Sequence, residues 1–294
     1  MLIARLIAEP DDLSEKLERA RAAMEGRGLK LASAAMLDFC SETMQLGFPG
    51  DDADGLREVV DEVFGRSDLL VADHEPLVPR VFVSDMDSTM IAAECIDELA
   101  DFAGIKDRIA DITERAMRGE LDFEAALRER VGLLEGLSEA AINECLETRI
   151  AMMPGARTLV QTLKDKGCRT ILVTGGFHQF ADPVAEQLGF DEVVANRLEV
   201  AGGKLTGGLD GPITDSSVKK RSLLDAMNVL GDGAMSLALG DGANDIPMIE
   251  AATYGIAYRA KPKARAAADG WIDRGDLTAI LQLLGIKREE WTWD

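Results

Sequence analysis

The chain has 294 residues, of which 47% are hydrophobic and 29% are charged, and its formal net charge is −21 at pH 7. This size predicts a soluble globular protein of roughly two domains. Nucleic acids and anionic membranes attract lysine and arginine, so the negative charge argues against both as partners. The cysteines form no CxxC pair, no apolar run approaches the length of a membrane span, and the N-terminus turns acidic too early for a signal peptide. The sequence therefore predicts a cytoplasmic protein without a disulfide framework.

Residues 1–74 predict a small α+β unit that carries no chemical motif. A strand is predicted first, for LIARLIA, and amphipathic helices are predicted for SEKLERARAAMEGRG and GLREVVDEVFG. A further apolar run, KLASAAMLDFC, lies between these helices. The segment ADHEPLVPR, residues 72–80, contains two prolines and predicts a linker to the rest of the chain.

From residue 81 onwards, short β-branched runs alternate with helical stretches. Strands are predicted for VFVS, TILVT, EVVAN and MSLAL, and the segments HQFADPVAEQLGF and SVKKRSLLDAMNVLG are typical of helices. Strands that alternate with helices form a mostly parallel sheet covered on both faces, so an open, doubly wound α/β domain is expected. Residues 92–153 are helix-periodic with hardly any strand signal, which predicts a helical insert directly after the first core strand.

Polar clusters follow three of the predicted core strands. They are VSDMDST after the first strand, VTGGF after the second and LGDGAND after the fourth, and a helix start that contains lysine, DSSVKKRS, lies between the last two. In open parallel sheets, ligands bind outside the carboxyl ends of the strands. The sequence therefore predicts that these clusters converge on one site.

The predicted site has the composition of a metal-dependent phosphate site. Asp85, Asp87, Asp241 and Asp245 would share one crevice, which is tolerable only with a hard divalent ion or with strongly raised pKa values. No histidine or cysteine accompanies them, so oxygen ligation of Mg²⁺ is favoured over zinc. The hydroxyl and backbone N–H groups of TGG, together with a lysine, suit a phosphate group. The chemistry that fits is phosphoryl transfer to a carboxylate.

The order D-x-D-x-T, T-G, Lys and G-D-x-x-N-D resembles the haloacid dehalogenase superfamily of aspartate-nucleophile phosphatases. Its phosphoserine phosphatases in particular are similar to DMDSTMIAAECIDELA, AMRGELDFEAALRERVGLLEG, MMPGA, VTGGF and GDGANDIPMI. The resemblance covers about residues 80–285. It implies a haloacid dehalogenase-like core made of residues 75–91 and 154–294, with residues 92–153 as a helical cap insert that closes over the substrate and sets specificity.

The same resemblance implies a reaction and its catalytic residues. The expected reaction is Mg²⁺-dependent hydrolysis of O-phospho-L-serine to L-serine and phosphate through an aspartyl-phosphate, the last step of phosphorylated serine synthesis. Asp85 is implied as the nucleophile and Asp87 as the general acid and base. Mg²⁺ is implied to bind Asp85, the backbone carbonyl of Asp87 and Asp241, with Asp245 acting through water.

Phosphate binding is implied for Thr174, Gly175 and Asn244. The family often has serine at the position of Thr174, and the hydroxyl is kept. The phosphate-binding lysine is Lys219 or Lys220, since each precedes a helix leucine by four residues. Lys219 is favoured because it keeps the spacing from the preceding PIT segment.

Substrate selection is implied for residues of the insert. Phosphoserine carries an ammonium and a carboxylate, so a selective pocket needs one fixed anion and one fixed cation. The resemblance assigns Glu94 to the ammonium and Arg130 to the carboxylate, with Met117 and Phe123 as an apolar wall. Helix packing explains Met117 and Phe123 equally well, and a surface ion pair is the usual fate of an arginine in a charge-rich stretch such as LRERV.

Two other functions remain open from the sequence. The aspartyl-phosphate could be passed to another alcohol, or the substrate could be a different small phosphomonoester. Related bacterial enzymes often carry regulatory ACT-like domains at the N-terminus, so an amino-acid sensor is the alternative from another class. Residues 1–74 show no clear βαββαβ pattern, and their role stays open between serine binding, formation of a homodimer and shielding of apolar surface.

Overall fold

The computed structural model of the protein describes residues 1–37, 42–118, 120–231 and 233–293. The N-terminal unit has the order β1, α1, β2, β3, α2, β4. Its elements are β1 (Leu2–Ile7), α1 (Leu13–Gly26), β2 (Ser33–Met36), β3 (Thr43–Phe48), α2 (Ala53–Phe64) and β4 (Asp68–Ala72). The strands are antiparallel in the order β2-β3-β1-β4.

This βαββαβ order is a pattern that the sequence analysis did not find. Strand β2 has the sequence SAAM, which shows no alternation of apolar and polar residues, and it is exposed along its whole length. It lies inside the segment KLASAAMLDFC, of which residues 38–40 are outside the described structure. The apolar run was noted in the sequence, but it was not predicted to contain the edge strand β2.

The insert follows the first core strand as predicted. Strand β5 (Val81–Ser84) precedes it, and its helices are α3 (Cys95–Phe102), α4 (Lys106–Met117), α5 (Phe123–Gly132) and α6 (Glu139–Arg149). Side-chain caps begin two of these helices, because the carboxylate of Asp122 accepts from the N–H of Ala125 and the hydroxyl of Ser138 accepts from the N–H of Ala140.

The rest of the chain completes an α/β core. Its elements are α7 (Ala156–Asp165), β6 (Arg169–Phe177), α8 (His178–Leu188), β7 (Glu192–Asn196), β8 (Leu198–Ala201), β9 (Lys204–Leu209), α9 (Ser216–Leu230), β10 (Ser236–Gly240), α10 (Ile246–Ile249), β11 (Tyr254–Tyr258), α11 (Pro262–Ala267), β12 (Gly270–Ile272) and α12 (Ala279–Leu283). The core strands are parallel in the order β12-β11-β10-β5-β6-β7, and β8 and β9 form a separate hairpin. The predicted doubly wound α/β class is confirmed, although β8, β9, β11 and β12 were not predicted.

Residues of β5 alternate between the two faces of the core sheet. Phe82 packs on the face that also buries Leu159 of α7 and Phe180 of α8, whereas Val81 and Val83 pack on the face that buries Leu223 of α9. This period of two is the expected geometry of a buried strand. The following residue, Asp85, therefore emerges at the carboxyl edge of a strand that is held on both faces.

No helix of the described residues is long and apolar enough to cross a membrane.

The N-terminal unit and the core share one sheet. Strand β4 pairs antiparallel with β12, so that Leu69 lies opposite Trp271 and Asp68 lies opposite Ile272. Gly270 is required at this junction, because a Cβ there would overlap the carbonyl oxygen of Leu69. The predicted linker is short and is held against the core, where the Tyr254 hydroxyl accepts from the N–H of Leu77.

Asp68 strengthens the same junction from the N-terminal side. Its fully buried carboxylate accepts from the backbone N–H of Arg274 at 2.8 Å and from that of Gly275 at 3.0 Å. Burial raises the pKa of Asp68, and the backbone donors oppose this shift. The loop that follows β12 is therefore fixed by a side chain from the N-terminal unit.

We expect Asp68→Ala to destabilise the whole chain. The change leaves two partly buried N–H groups without an acceptor, which costs about 2–3 kcal/mol of the free energy of unfolding. Urea unfolding followed by circular dichroism measures the loss, and Asp51→Ala, which removes an exposed carboxylate of the same unit, is the control. Equal unfolding midpoints for the two variants would contradict this account of the junction.

Candidate active site

The carboxyl ends of three adjacent strands open into one cavity of about 360 Å³. Strand β5 lies between β10 and β6 in the sheet, so the residues that follow these strands are neighbours. Asp85 and Asp87 follow β5, Thr174 and Gly175 lie near the end of β6, and Asp241 follows β10; all of them line the cavity. The structure thus brings together the clusters that the sequence placed at separate strand ends.

A buried charge cluster lies at the base of this cavity. Carboxylate oxygens of Asp85, Asp241 and Asp245 lie within 4.8 Å of one another, and all three residues are buried. The Nζ atom of Lys219 lies 2.6 Å from an oxygen of Asp85 and 2.6 Å from an oxygen of Asp245, and its side chain is only 1% exposed. Lys219 therefore bridges the nucleophile candidate to the last aspartate of GDGAND.

Burial shifts the pKa values of these groups, and the charges of their neighbours add to the shift or oppose it. Burial raises the pKa of Asp85 well above its ordinary value, and the Asp245 carboxylate raises it further. Burial also raises the pKa of Asp241 to about 6, although Lys261 opposes the shift. Burial lowers the pKa of Lys219, but the carboxylates of Asp85 and Asp245 outweigh it, so the net shift is upward.

This donor set fits a hard divalent cation. The cluster offers carboxylate oxygens without a histidine or cysteine among its described members, and a single ammonium cannot balance its carboxylates. One oxygen of Asp245 is taken by Lys219, and the other accepts from the N–H groups of Asp241 and Gly242 at 3.2 and 3.0 Å. Asp85 and Asp241 therefore have more capacity left for a metal ion than Asp245 has.

Asp87 differs from Asp85 in its surroundings. One of its carboxylate oxygens accepts from the N–H of Cys95 at 3.3 Å. Burial raises the pKa of Asp87 to about 7, and the nearby charge of Glu94 contributes in the same direction. A carboxyl group with such a pKa exchanges a proton readily near neutral pH, which is the property required of a general acid and base.

Hydrogen bonds within the core hold the polar groups at the end of β6 in place. The Thr174 hydroxyl accepts from the N–H of Gly176 at 2.9 Å. The side chain of Asn196 donates to the carbonyl of Gly175 at 2.7 Å and accepts from the N–H of Thr214 at 2.8 Å. Asn196 is buried and was missed by the sequence analysis, because a lone asparagine at the end of EVVAN carries no motif.

The insert supplies the opposite wall of the cavity. Glu94, Phe123 and Arg130 line it, and a Cβ on Gly175 would lie 3.3 Å from the ring of Phe123. The Ser88 hydroxyl donates to Glu94 at 2.9 Å and so restrains it. Burial lowers the pKa of Arg130, while Asp97 and Glu94 raise it. The side chain of Met117 lies outside the described structure, so its predicted place in the wall stays a prediction.

Several cavity residues were not predicted from the sequence. Ile96, Thr113 and Leu127 of the insert and Lys261 of the core also line the cavity. The insert residues lie on ordinary amphipathic helices, where no signal separates a cavity residue from a packing residue. Asn244 does line the cavity, as the sequence analysis expected.

Comparison with known proteins identifies the family. The family model for haloacid dehalogenase-like hydrolases matches residues 82–250, which is more than half of the chain. The chain belongs to this family. The resemblance predicted from the strand-end motifs is therefore confirmed, and the protein is a hydrolase of the haloacid dehalogenase-like type.

Curated relatives carry a more specific name. A protein of Polaromonas sp. named phosphoserine phosphatase is 44% identical over 211 residues, which are 70% of this chain and 89% of the relative. A Streptomyces coelicolor protein of the same name is 45% identical over 212 residues, which are 72% of this chain but only 52% of that longer relative.

Solved structures resemble the chain over its whole length. A haloacid dehalogenase family hydrolase from Salmonella enterica superposes with a TM-score of 0.83 at 29% identity and covers 97% of this chain and 99% of its own. A probable phosphoserine phosphatase from Vibrio cholerae gives a TM-score of 0.75 at 31% identity, with 100% of this chain and 90% of that one covered. The similarity therefore includes the N-terminal unit as well as the core.

The structure separates the lysine candidates, and we expect their variants to differ sharply. Lys219→Met leaves Asp85 and Asp245 without their shared counter-ion and removes the positive charge nearest the candidate nucleophile, so phosphate release should fall roughly 100-fold or more. Lys220 is exposed, and Lys220→Met should retain nearly full activity. Release of inorganic phosphate from p-nitrophenyl phosphate measures both variants, with circular dichroism to verify folding. Wild-type turnover of a folded Lys219→Met protein would contradict the assignment.

Proposed function

We propose that the protein is a Mg²⁺-dependent phosphoserine phosphatase that hydrolyses O-phospho-L-serine to L-serine and inorganic phosphate. One observation carries the proposal: the cavity that contains Asp85 and Asp87 is also lined by Glu94 and Arg130. A phosphoryl-transfer centre thus faces one anion and one cation, which match the ammonium and the carboxylate of the substrate. The names of the curated relatives support the same assignment.

In the first step, a carboxylate oxygen of Asp85 attacks phosphorus. The new bond makes an aspartyl-phosphate, and the bond between phosphorus and the serine oxygen breaks. Asp87, protonated at first, gives its proton to that oxygen as serine leaves, and its pKa of about 7 makes this transfer accessible near neutral pH.

In the second step, Asp87 acts as a base. Its carboxylate takes a proton from water, whose oxygen attacks phosphorus and displaces the Asp85 carboxylate. Inorganic phosphate leaves, and both aspartates return to their starting states. In the two steps together, Asp85 forms and loses the bond to phosphorus, and Asp87 gives one proton and takes one back.

Other chain residues hold the reacting groups. Asp85, the backbone carbonyl of Asp87 and Asp241 would hold Mg²⁺, with Asp245 acting through water, and the ion would supply positive charge against the repulsion between carboxylate and phosphate. Phosphate oxygens would be bound by a set of donors from several loops, namely Thr174, the N–H of Gly175, Lys219 and Asn244.

The division of the chain belongs to the same proposal. Residues 1–74 form the N-terminal unit, residues 75–91 and 154–294 form the catalytic core, and residues 92–153 form the insert that selects the substrate. Cys95, Cys145 and Cys168 are free thiols, which agrees with a reducing, cytoplasmic location, and Cys40 lies outside the described residues.

The proposal predicts phosphate release that depends on metal, on substrate and on Asp85. Release from L-phosphoserine should exceed release from phosphothreonine and phosphoethanolamine, and EDTA should abolish it. Wild-type protein quenched with acid during turnover of ³²P-labelled phosphoserine should retain label, whereas Asp85→Asn should neither retain label nor release phosphate. Metal-dependent activity without preference for phosphoserine would keep the mechanism and remove the substrate. Undiminished turnover by Asp85→Asn would remove the nucleophile.

A second prediction concerns Arg130. Arg130→Ala should raise KM for phosphoserine by roughly 30-fold or more, because a substrate carboxylate loses its partly buried partner. KM for phosphoethanolamine, which has no carboxylate, should change little. Arg128→Ala is the matched control, since Arg128 is exposed on the same helix and pairs with Glu124. An equal rise of KM for both esters would show that Arg130 does not read the carboxylate.

A further inference from the structure

Lys261 is a cavity residue that the catalytic scheme above does not use. Its Nζ atom lies 3.7 Å from a carboxylate oxygen of Asp241, and its side chain is 71% exposed. It therefore lines the cavity as an exposed lysine, whereas Lys219 is buried, with only 1% of its side chain exposed.

The backbone that carries Lys261 is firmly held. Its N–H donates to the carbonyl of Asp241 at 2.9 Å, so it is bonded directly to the loop after β10. Pro262 follows at the start of α11, and a residue before proline is restricted to extended conformations. The backbone of Lys261 is thus fixed beside the cluster of Asp85, Asp241 and Asp245, and its exposed ammonium is accessible to a ligand in the cavity.

The charges around the cavity indicate a function for the ammonium of Lys261. The chain has a net charge of −21, and among the described residues that line the cavity the carboxylates of Asp85, Asp87, Glu94 and Asp241 outnumber the cations of Arg130 and Lys261. A phosphate dianion that approaches the cavity is therefore repelled by the protein as a whole. A cation at the mouth lowers this repulsion and raises the rate of productive encounter.

We propose that Lys261 recruits the phosphate group of the substrate at the mouth of the cavity and guides it towards Asp85. Lys261 acts on the phosphate and not on the substrate carboxylate, because it adjoins Asp241 and the charge cluster, whereas Arg130 lies on helix α5 of the insert. The inference rests on the proposed function for the identity of the ester, but it applies to any phosphomonoester. Lys261 is a recruiting and positioning residue and takes no part in bond making.

The test compares Lys261→Met with two matched variants. Lys261→Arg keeps the positive charge, and Lys263→Met removes an equal charge from an exposed lysine of α11, the helix that begins directly after Lys261; in the described structure Lys263 does not line the cavity. Steady-state kinetics with L-phosphoserine and with p-nitrophenyl phosphate are measured at low and at high ionic strength. The competitive inhibition constant of inorganic phosphate against each ester gives a reading that does not depend on the true substrate.

Lys261→Met should lower kcat/KM for both esters by about two- to fivefold at low ionic strength, mainly through KM, and should weaken phosphate inhibition by a similar factor. The difference between Lys261→Met and wild type should vanish at roughly 0.5 M salt, because at this ionic strength exposed charges interact only over a few ångströms. Lys261→Arg should restore the wild-type values, and Lys263→Met should resemble wild type.

Two results would overturn the inference. Identical salt dependence and phosphate inhibition for Lys261→Met and Lys263→Met would show that only net charge matters. A fall in kcat that does not respond to salt and is not restored by arginine would show that Lys261 merely supports the Asp241 loop. Failure of wild-type protein to prefer phosphoserine would instead count against the proposed function, since the comparison with p-nitrophenyl phosphate would still stand.

Discussion

The structure of the site depends on the burial of Lys219 between Asp85 and Asp245. Removing these charges from water is costly, and a buried pair is tolerated only with short, well-aligned contacts such as the 2.6 Å distances seen here. Lys219 still leaves a share of the charge on Asp85 uncompensated, and Asp241 faces only the exposed ammonium of Lys261, at 3.7 Å. That residual negative charge makes the cluster suited to a divalent cation.

The sheet supplies the alignment that this cluster needs. Asp85, Asp241 and Thr174 belong to or follow neighbouring parallel strands, and Lys219 comes from the first turns of α9, which packs against β5. The N-terminus of α9 is fixed in turn by Asp215, whose carboxylate accepts from the N–H groups of Ser217 and Val218. Each charged group is therefore carried by a rigid element, as required where a misplacement of about 1 Å is costly.

The sequence analysis predicted the site residues that come directly after a strand in the chain. The motifs around Asp85, Thr174 and Asp241 were found because an apolar strand ends abruptly in polar residues, and parallel topology then implies that they meet. Asn196 and Lys261 could not be found in this way, since their roles depend on which loops lie beside them in the fold. The pairing of β4 with β12 was missed for a similar reason: GWI is too short for a periodic signal, and its antiparallel partner lies about 200 residues earlier.

The insert is attached to the core at two places. Its two connecting segments bond to each other, through Ala92 to Ala151 and Met153 to Met90, and form a narrow neck. A second attachment joins Gly136 and Leu137, after α5, to Leu205 of the β8–β9 hairpin by backbone hydrogen bonds of 2.8 and 2.9 Å. Helix α5 carries both Phe123 and Arg130, so these two cavity-lining side chains lie on the anchored part of the insert. Closure of the insert as a rigid body would have to carry the hairpin with it or break these bonds. The backbone that carries Arg130 is therefore held in place without a ligand, which lowers the entropic cost of binding any ligand in the cavity.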